Sequence, residues 1–268
     1  MSTFQILCVT MNQSDFSKID SMNIHSDVIF ANQGEINDDQ SFEFENHHAR
    51  MISTKTKGVG INRNISLAYA SADICLLADD DITYTDDLEK KIISEFDEHP
   101  DADIVFFHLV STDKTRSVKK PDQTKKLHRL SRIPWGGAHV AFRLSSARKA
   151  NLWFTTLFGG GCIYPNGEDS IWLTEARRKG LTFYASKETI GQVDMSSSSW
   201  YSGADEKYYY GRGALYAHLK KKPMFAWMLY FAYRTQNRTK LTFTERIKWM
   251  KHGINGYRTL TPFDEYKA

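Results

Sequence analysis

The sequence has 268 residues, of which 41% are hydrophobic and 25% charged, the make-up of an ordinary folded chain of one or two domains. That excludes a disordered protein, and it leaves enough apolar material for a core without disulfides or a structural metal. The formal net charge of +3 conceals an asymmetry: residues 207–268 carry 13 Lys and Arg against 3 Asp and Glu, while residues 1–206 hold 22 basic and 29 acidic residues. An acidic body can hold a cation. A basic, aromatic tail can meet an anionic surface or simply solvate its helices.

Cys8, Cys75 and Cys162 are odd in number and scattered, so neither a disulfide framework nor a zinc spacing is expected, and a reducing, cytoplasmic setting is. The chain opens on strand-like residues 4–10, with no basic–apolar–small leader pattern. Its longest apolar run, residues 224–233, is shorter than the ~20 residues that span a bilayer, so no transmembrane helix is expected.

Residues 4–9 read as a short apolar strand and 27–31 as a second, ending at the turn-like Asn32, Gln33 and Gly34. Residues 35–57 are polar and lack a period. A helix begins at Gly60, with Ile61, Ile65, Ala68 and Ala72 near a 3.6-residue repeat. Residues 73–78 are apolar on both faces, which suits a buried strand of a parallel sheet. Asp86 and Asp87 open another helix that turns Leu88, Ile92, Ile93 and Phe96 inward and stops before Pro100. Residues 103–107 form one more strand. This alternation predicts an α/β fold with a mainly parallel sheet, whose ligands sit at the carboxyl ends of the strands.

Beyond residue 110 the character changes. Residues 112–132 are basic and loop-like, 138–143 read as a strand and 145–151 as a short helix. A glycine loop at 158–162 leads to Asn166, Gly167, Glu168 and Asp169, where a helix starts and runs to Lys179. Three helices follow over 206–219, 223–234 and 243–254, the last opened by a capping box at Thr242 and Glu245. A catalytic domain over 1–205 with a helical extension over 206–268 is the expected organisation.

Asp79, Asp80 and Asp81 follow the third strand directly. Three adjacent carboxylates repel one another, and a divalent cation with oxygen ligands relieves them; bound to phosphates, such a cation needs only one or two protein carboxylates. An acidic turn capping the next helix is the plainer alternative. Asp-x-Asp at this position serves two enzyme classes. One holds a metal on a nucleotide diphosphate. The other is the haloacid-dehalogenase-like phosphatases, whose Asp-x-Asp-x-Thr string is matched by Asp79, Asp81 and Thr83; that class carries the motif on its first strand, whereas two strands precede it here.

With these pieces in order, the chain resembles a family 2 glycosyltransferase of the GT-A fold, of the capsule and exopolysaccharide type. The residues from Val9 to Asn12 stand where that family has Pro-Thr-Tyr-Asn. Gly60 to Asn64 resemble its Gly-x-x-x-Arg-Asn, Ala78 to Asp81 its Asp-x-Asp motif, and Gly167 to Asp169 its acidic motif with the catalytic base. The resemblance implies a Rossmann-like GT-A catalytic domain, with residues 1–110 as the nucleotide and metal half and 111–205 as the acceptor half. It implies an inverting, metal-dependent transferase using a nucleotide-diphosphate sugar, often UDP-linked, and Mn²⁺ or Mg²⁺. Thr10, Asn12, Asn32, Arg63, Asp79 and Asp80 fall at nucleotide-sugar-binding positions, Asp81 and Asp79 at the metal, and Asp169 at the general base. Asn32 stands where relatives carry an aspartate that contacts the base, and Ala78 where many carry the first aspartate of the metal motif.

The residues allow plainer roles beside these. Arg63 can hold phosphate or form an ion pair on a helix. Glu168 and Asp169 can serve as acidic residues at a helix N-terminus, favoured by its dipole, or as acceptor-positioning group and base respectively. The glycine loop suits either close backbone approach or a flexible turn. Residues 135–139 can wall the donor sugar, or His139 can be a core histidine. Trp200 and Tyr201 are acceptor-site candidates through ring stacking on sugars, or core.

Lys220, Lys221 and Lys222 followed by the apolar residues 224–233 have the content of an interfacial helix, which would suit peripheral contact of 207–268 with an anionic membrane and a lipid-linked oligosaccharide acceptor at the inner face of the cell membrane. Packing on the catalytic domain or a homodimer contact fits as well. The basic residues form no nucleic-acid motif, and none is expected to bind. A metal-dependent phosphatase using Asp79 and Asp81, and a non-catalytic nucleotide-sugar or glycan-binding module, complete the alternatives.

Overall fold

The structure is a computed structural model and describes residues 2–112, 120–128, 131, 138–193 and 204–267. The chain clusters into two compact units: residues 1–56, 61–153 and 172–198 form one, and residues 57–60, 154–171 and 199–268 the other. Each contains its own hydrophobic core.

The first unit is built on a ten-stranded sheet. Its centre is a parallel block of four strands: β1 (Phe4–Met11), β2 (Asp27–Gln33), β4 (His47–Thr54) and β5 (Ile74–Asp79), ordered β4-β2-β1-β5. β1 is buried on both faces from Phe4 to Thr10, which is why it reads as an unbroken apolar run. β3 (Asp38–Phe44) adds antiparallel to β4 at one edge. On the other side, β9 (Val140–Arg143) lies antiparallel between β5 and β7 (Ile104–Ser111). β10 (Phe183–Val193) pairs parallel with β7, and β6 (Ile82–Tyr84) and β8 (Lys125–Leu127) pair antiparallel with β10. The α/β architecture is as expected, and the sheet is more mixed than the sequence suggests, with antiparallel strands added on both sides of the parallel block.

Among the described residues, α1 (Lys18–Ser21), α2 (Val59–Tyr69), α3 (Leu88–Glu98) and α4 (Leu144–Lys149) accompany these strands. α3 seats Leu88, Ile92 and Phe96 in the core that also holds Ile6, Phe30 and Leu76. The polar stretch 35–57, without period in the sequence, holds the β3–β4 hairpin, whose turn places Glu45 at φ 51°. β3 escapes a hydrophobic reading because it is a solvent-exposed edge: Asp39 pairs there with Arg50 at 2.7 Å, and charges on an edge strand blunt further pairing.

α5 (Glu168–Arg178) follows the glycine loop. The second unit's helical C-terminal region comprises α6 (Glu206–His218), α7 (Met224–Arg234), α8 (Phe243–Thr259) and α9 (Phe263–Lys267), with a 3-10 turn over Gln236–Arg238. α8 opens on the expected capping box, in which the Thr242 hydroxyl accepts from the Glu245 amide at 3.3 Å and the Glu245 carboxylate accepts from the Thr242 amide at 2.7 Å. α6 and α8 cross where both carry glycine. A Cβ on Gly213 would lie 2.0 Å from the Met250 carbonyl oxygen, and one on Gly253 would lie 1.9 Å from that of Tyr210. The aromatic run of α6 is core: Tyr209 and Tyr210 are fully buried, and their hydroxyls reach Thr235 at 2.7 Å and the Thr261 carbonyl at 2.6 Å.

Candidate active site

The parallel register of the first unit determines what gathers at its carboxyl edge. Val9 lies beside Asp79, Thr10 beside Asn32, and Asn32 beside Ser53. Open α/β sheets bind ligands at this edge, outside the strand ends. β5 is apolar and buried through Ala78, then emerges at Asp79; Asp80 and Asp81 make the turn into β6.

Two of the three carboxylates are held by cations. The Arg63 guanidinium, 2% exposed, donates to Asp79 at 2.9 Å. Lys18 donates to the Asp80 carbonyl at 3.0 Å and lies 3.7 Å from its carboxylate, which also accepts from the Thr10 hydroxyl at 2.5 Å. Among the described residues no ion pair holds Asp81. Burial, reinforced by Asp79 and then Asp80, pushes its carboxyl up to about 6. The trio therefore carries an unrelieved negative charge on hard oxygen donors. Among the described residues no group of three or more His, Cys, Asp and Glu closes around a cation, so any cation here would complete its shell from ligand oxygens and water.

Asn12 is exposed, sits at φ 54°, and donates its amide to the Gln33 carbonyl at 2.8 Å, turning the chain at the end of β1. Asn32 is buried, and its amide is committed to the same turn. Its oxygen accepts from the Gln13 amide at 3.1 Å, and its nitrogen donates to the Gln13 carbonyl and the Ser53 hydroxyl, both at 2.9 Å. Its visible work is to brace the loop that carries Asn12. His139 has its ring 6.1 Å from Phe106, and burial pushes the imidazole down to about 4, so it is neutral at physiological pH. Thiol chemistry has no support here: burial pushes Cys8 well up, with Asp80 and Asp79 adding to it, and Cys75 to about 12.

Thr10, Arg63, Asp79, Asp80 and Asp81 are thus brought to one edge. Lys18 joins them with no forewarning in the sequence, because a lysine on a four-residue helix has no pattern; the only signal was the acidic cluster's need for a counter-charge.

Glu168 and Asp169 belong to the second unit, in the first turn of α5. The Glu168 carboxylate accepts from the Gly167 amide at 3.0 Å. The preceding glycine loop is hydrogen-bonded rather than loose: Gly159 donates to Tyr164 at 2.9 Å, Cys162 to Gly159 at 3.1 Å, and Val59 to Gly160 at 2.9 Å. Gly159 sits at φ 109°, a conformation other residues rarely adopt, and a Cβ there would also meet the Val59 side chain at 2.4 Å and that of Glu168 at 2.9 Å, so backbone conformation and close approach both favour glycine. Trp135, Trp200 and Tyr201 lie outside the described residues.

A sheet with its acidic turn at the carboxyl end of a central parallel strand, and a helical region after it, is a GT-A-like α/β fold. Residues 25–160, half of the chain, match the profile of Glycosyl transferase family 2, and the chain belongs to that family. Among solved structures, residues 1–349 of S. aureus TarS match with a TM-score of 0.56 and 12% identity over 97% of this chain and 72% of that one. The same fragment in complex with UDP-GlcNAc matches at 0.59 and 14% identity, over 98% and 77%. A longer TarS structure is covered over 44% of its length. At these identities the likeness is one of fold. No curated protein matches the sequence.

Proposed function

We propose that the chain transfers a sugar from a nucleotide-diphosphate donor, UDP-linked, to a hydroxyl of a glycan acceptor, inverting the anomeric carbon in a single displacement. The observation that carries this is the carboxylate trio at the end of β5, with Arg63 and Thr10 beside it, in a chain of this family. Solved structures of TarS with UDP and with UDP-GlcNAc support the choice of donor class.

In this reading Thr10, Asn12, Asn32, Arg63, Asp79 and Asp80 form the nucleotide-sugar pocket, Asn32 by shaping the turn under it. Asp81 and Asp79 would hold Mn²⁺ or Mg²⁺. The fit rests on the donor set: hard oxygens, one of them disfavoured as an anion without a counter-charge. When bound, such a cation neutralises charge on the leaving diphosphate. Arg63, held by Asp79, would share that charge through its fork of donors.

Asp169 takes the proton of the acceptor hydroxyl as that oxygen attacks, and Glu168 orders the start of α5 and the acceptor. Trp200 and Tyr201 stack on the acceptor. The division of labour keeps 1–110 for nucleotide and metal, 111–205 for acceptor and 206–268 as a helical extension. The acceptor class is a lipid-linked oligosaccharide of capsule or exopolysaccharide synthesis, met from the cytoplasmic side. The phosphatase alternative expects Asp79 on the first strand of its fold, whereas β5 follows β1, β2, β3 and β4.

The test is thermal shift and donor hydrolysis across a panel of nucleotide sugars, with and without Mn²⁺. A donor at 100 times its Kd adds about 2.7 kcal/mol, about 5–10 °C for a chain of this size. The expected result is one UDP-sugar that stabilises with metal. Asp81→Asn should lose the metal-dependent part, and Asp169→Asn should keep donor binding but lose turnover. Undiminished transfer in Asp169→Asn would remove the base assignment. A panel with no shift at all would remove the reading itself.

A further inference from the structure

From Met224 to Tyr233 α7 carries no charged residue, yet only one side of it is covered. Met228 and Ala232 are buried against Tyr209, Tyr216 and Met250. The other side leaves Phe225 55%, Trp227 41%, Tyr230 52% and Tyr233 66% exposed. At 100° per residue these four positions fall within about 200° of arc, a continuous aromatic face where a surface helix ordinarily carries charge.

Cations border that face. Lys220, Lys221 and Lys222 precede the helix, with the Lys221 ammonium 5.1 Å from the centre of the Trp227 ring. Arg234 donates to the Tyr230 hydroxyl at 3.1 Å, and Arg238 and Lys240 follow. From residue 207 to residue 244 the sequence has no Asp or Glu. An occupant of this face must therefore accept aromatic rings and be anionic at its rim.

We propose that this face of α7 seats on an anionic lipid surface. Trp and Tyr combine an apolar ring with a polar tip and partition to the headgroup level, while lysines beside them gain from the negative surface potential. A second copy of the chain is the poorer occupant: a two-fold contact through the same patch sets both lysine clusters into one interface, and residues 207–244 offer no acidic residue to answer them. The proposal goes beyond the transfer reaction and stands apart from it, since hydrolysis of a soluble donor needs no surface.

The experiment uses the full chain and sedimentation with vesicles of phosphatidylcholine alone or with about one third phosphatidylglycerol, at about 0.1 M salt. Wild type should pellet with the anionic vesicles and remain in solution with the neutral ones. Replacing Lys220, Lys221 and Lys222 together by serine should lower partitioning by about 100-fold. Trp227→Ser should lower it by about tenfold, with the melting temperature of each variant measured to establish folding. Equal binding to both vesicle types, or to neither, overturns the proposal on wild type alone. A concentration-dependent dimer in the ultracentrifuge that Trp227→Ser abolishes, without vesicle binding, assigns the face to a second copy and overturns it too. Donor hydrolysis measured on the same preparations separates this outcome from failure of the transfer reading.

Discussion

His139 shows how far one residue's role depends on its surroundings. In water a histidine titrates near 6.5; here burial holds the imidazole at about 4, against the opposing pull of Asp79. Below 6.5 the unfolded chain takes up a proton that the folded chain refuses, so the contribution of His139 to stability falls as pH drops from 6.5 to 4 and changes no further below that. Above 6.5 both states are neutral and the residue contributes no pH dependence. The difference of about 2.5 units corresponds to about 3 kcal/mol at the acid end. Asp81 acts in the opposite direction over this range, because its raised carboxyl takes up a proton in the folded chain first, so the test is the difference between the two proteins. His139→Phe, which retains a ring against Phe106, should gain melting temperature relative to wild type as pH drops from 6.5 to 4. A difference that stays constant across that range would mean that His139 carries none of the pH dependence. At this scale the site was partly legible. Asp79, Asp80 and Asp81 stand out because adjacent charges need an explanation, and Arg63 because a matching charge lies on the helix before them. Asn32 did not reveal its work, because bracing Gln13 and Ser53 is a matter of strand register rather than residue type.

At the scale of elements, the α6–α8 crossing sets intrinsic propensity against packing. Gly253 lies inside α8, where alanine is favoured over glycine by about 0.8–1 kcal/mol. Its missing Cβ is also what lets the Tyr210 carbonyl approach, with only 1.9 Å left for an added carbon. Backbone cannot give way as a flexible side chain does, so the crossing must open, and overpacking of this kind costs typically about 1–3 kcal/mol. Gly253→Ala should therefore destabilise, whereas Asn255→Ala, on the exposed side of the same helix, should be neutral or slightly stabilising. Chemical denaturation of the two variants decides it, and a stabilised Gly253→Ala would show that the crossing is looser than these distances. Such glycines read in a sequence only as weak points in a helix. Strands divide the same way. β1, β2, β5, β7 and β9 announce themselves as apolar runs because sheet neighbours and helices cover them. β3 lies exposed at the edge, and β10 breaks its alternation with register shifts between Ala185 and Gly191. Their pairing partners, not their own composition, make them strands.

For the whole molecule the governing feature is charge asymmetry: residues 1–206 with 29 acidic residues against 22 basic ones, and a C-terminal segment with 13 basic residues against 3 acidic ones. On the proposed reading a divalent cation with a diphosphate would suit the first and an anionic lipid surface the second, so donor binding and attachment would not compete for the same charge. No described helix is long and apolar enough to cross a membrane, so the attachment proposed for α7 must be a surface contact. Surface contacts between charges weaken as the Debye length shrinks from about 8 Å at physiological ionic strength to about 3 Å at 1 M salt. The aromatic face cannot compensate fully, because four half-exposed side chains give far less apolar burial than the ~20 residues of a spanning helix. Membranes isolated from cells expressing the protein should carry it at low salt and release most of it in about 1 M salt, with catalytic activity recovered in the supernatant. Retention through that wash would mean that an anchor other than the basic rim of α7 holds the protein, and the electrostatic account of its attachment would have to be abandoned.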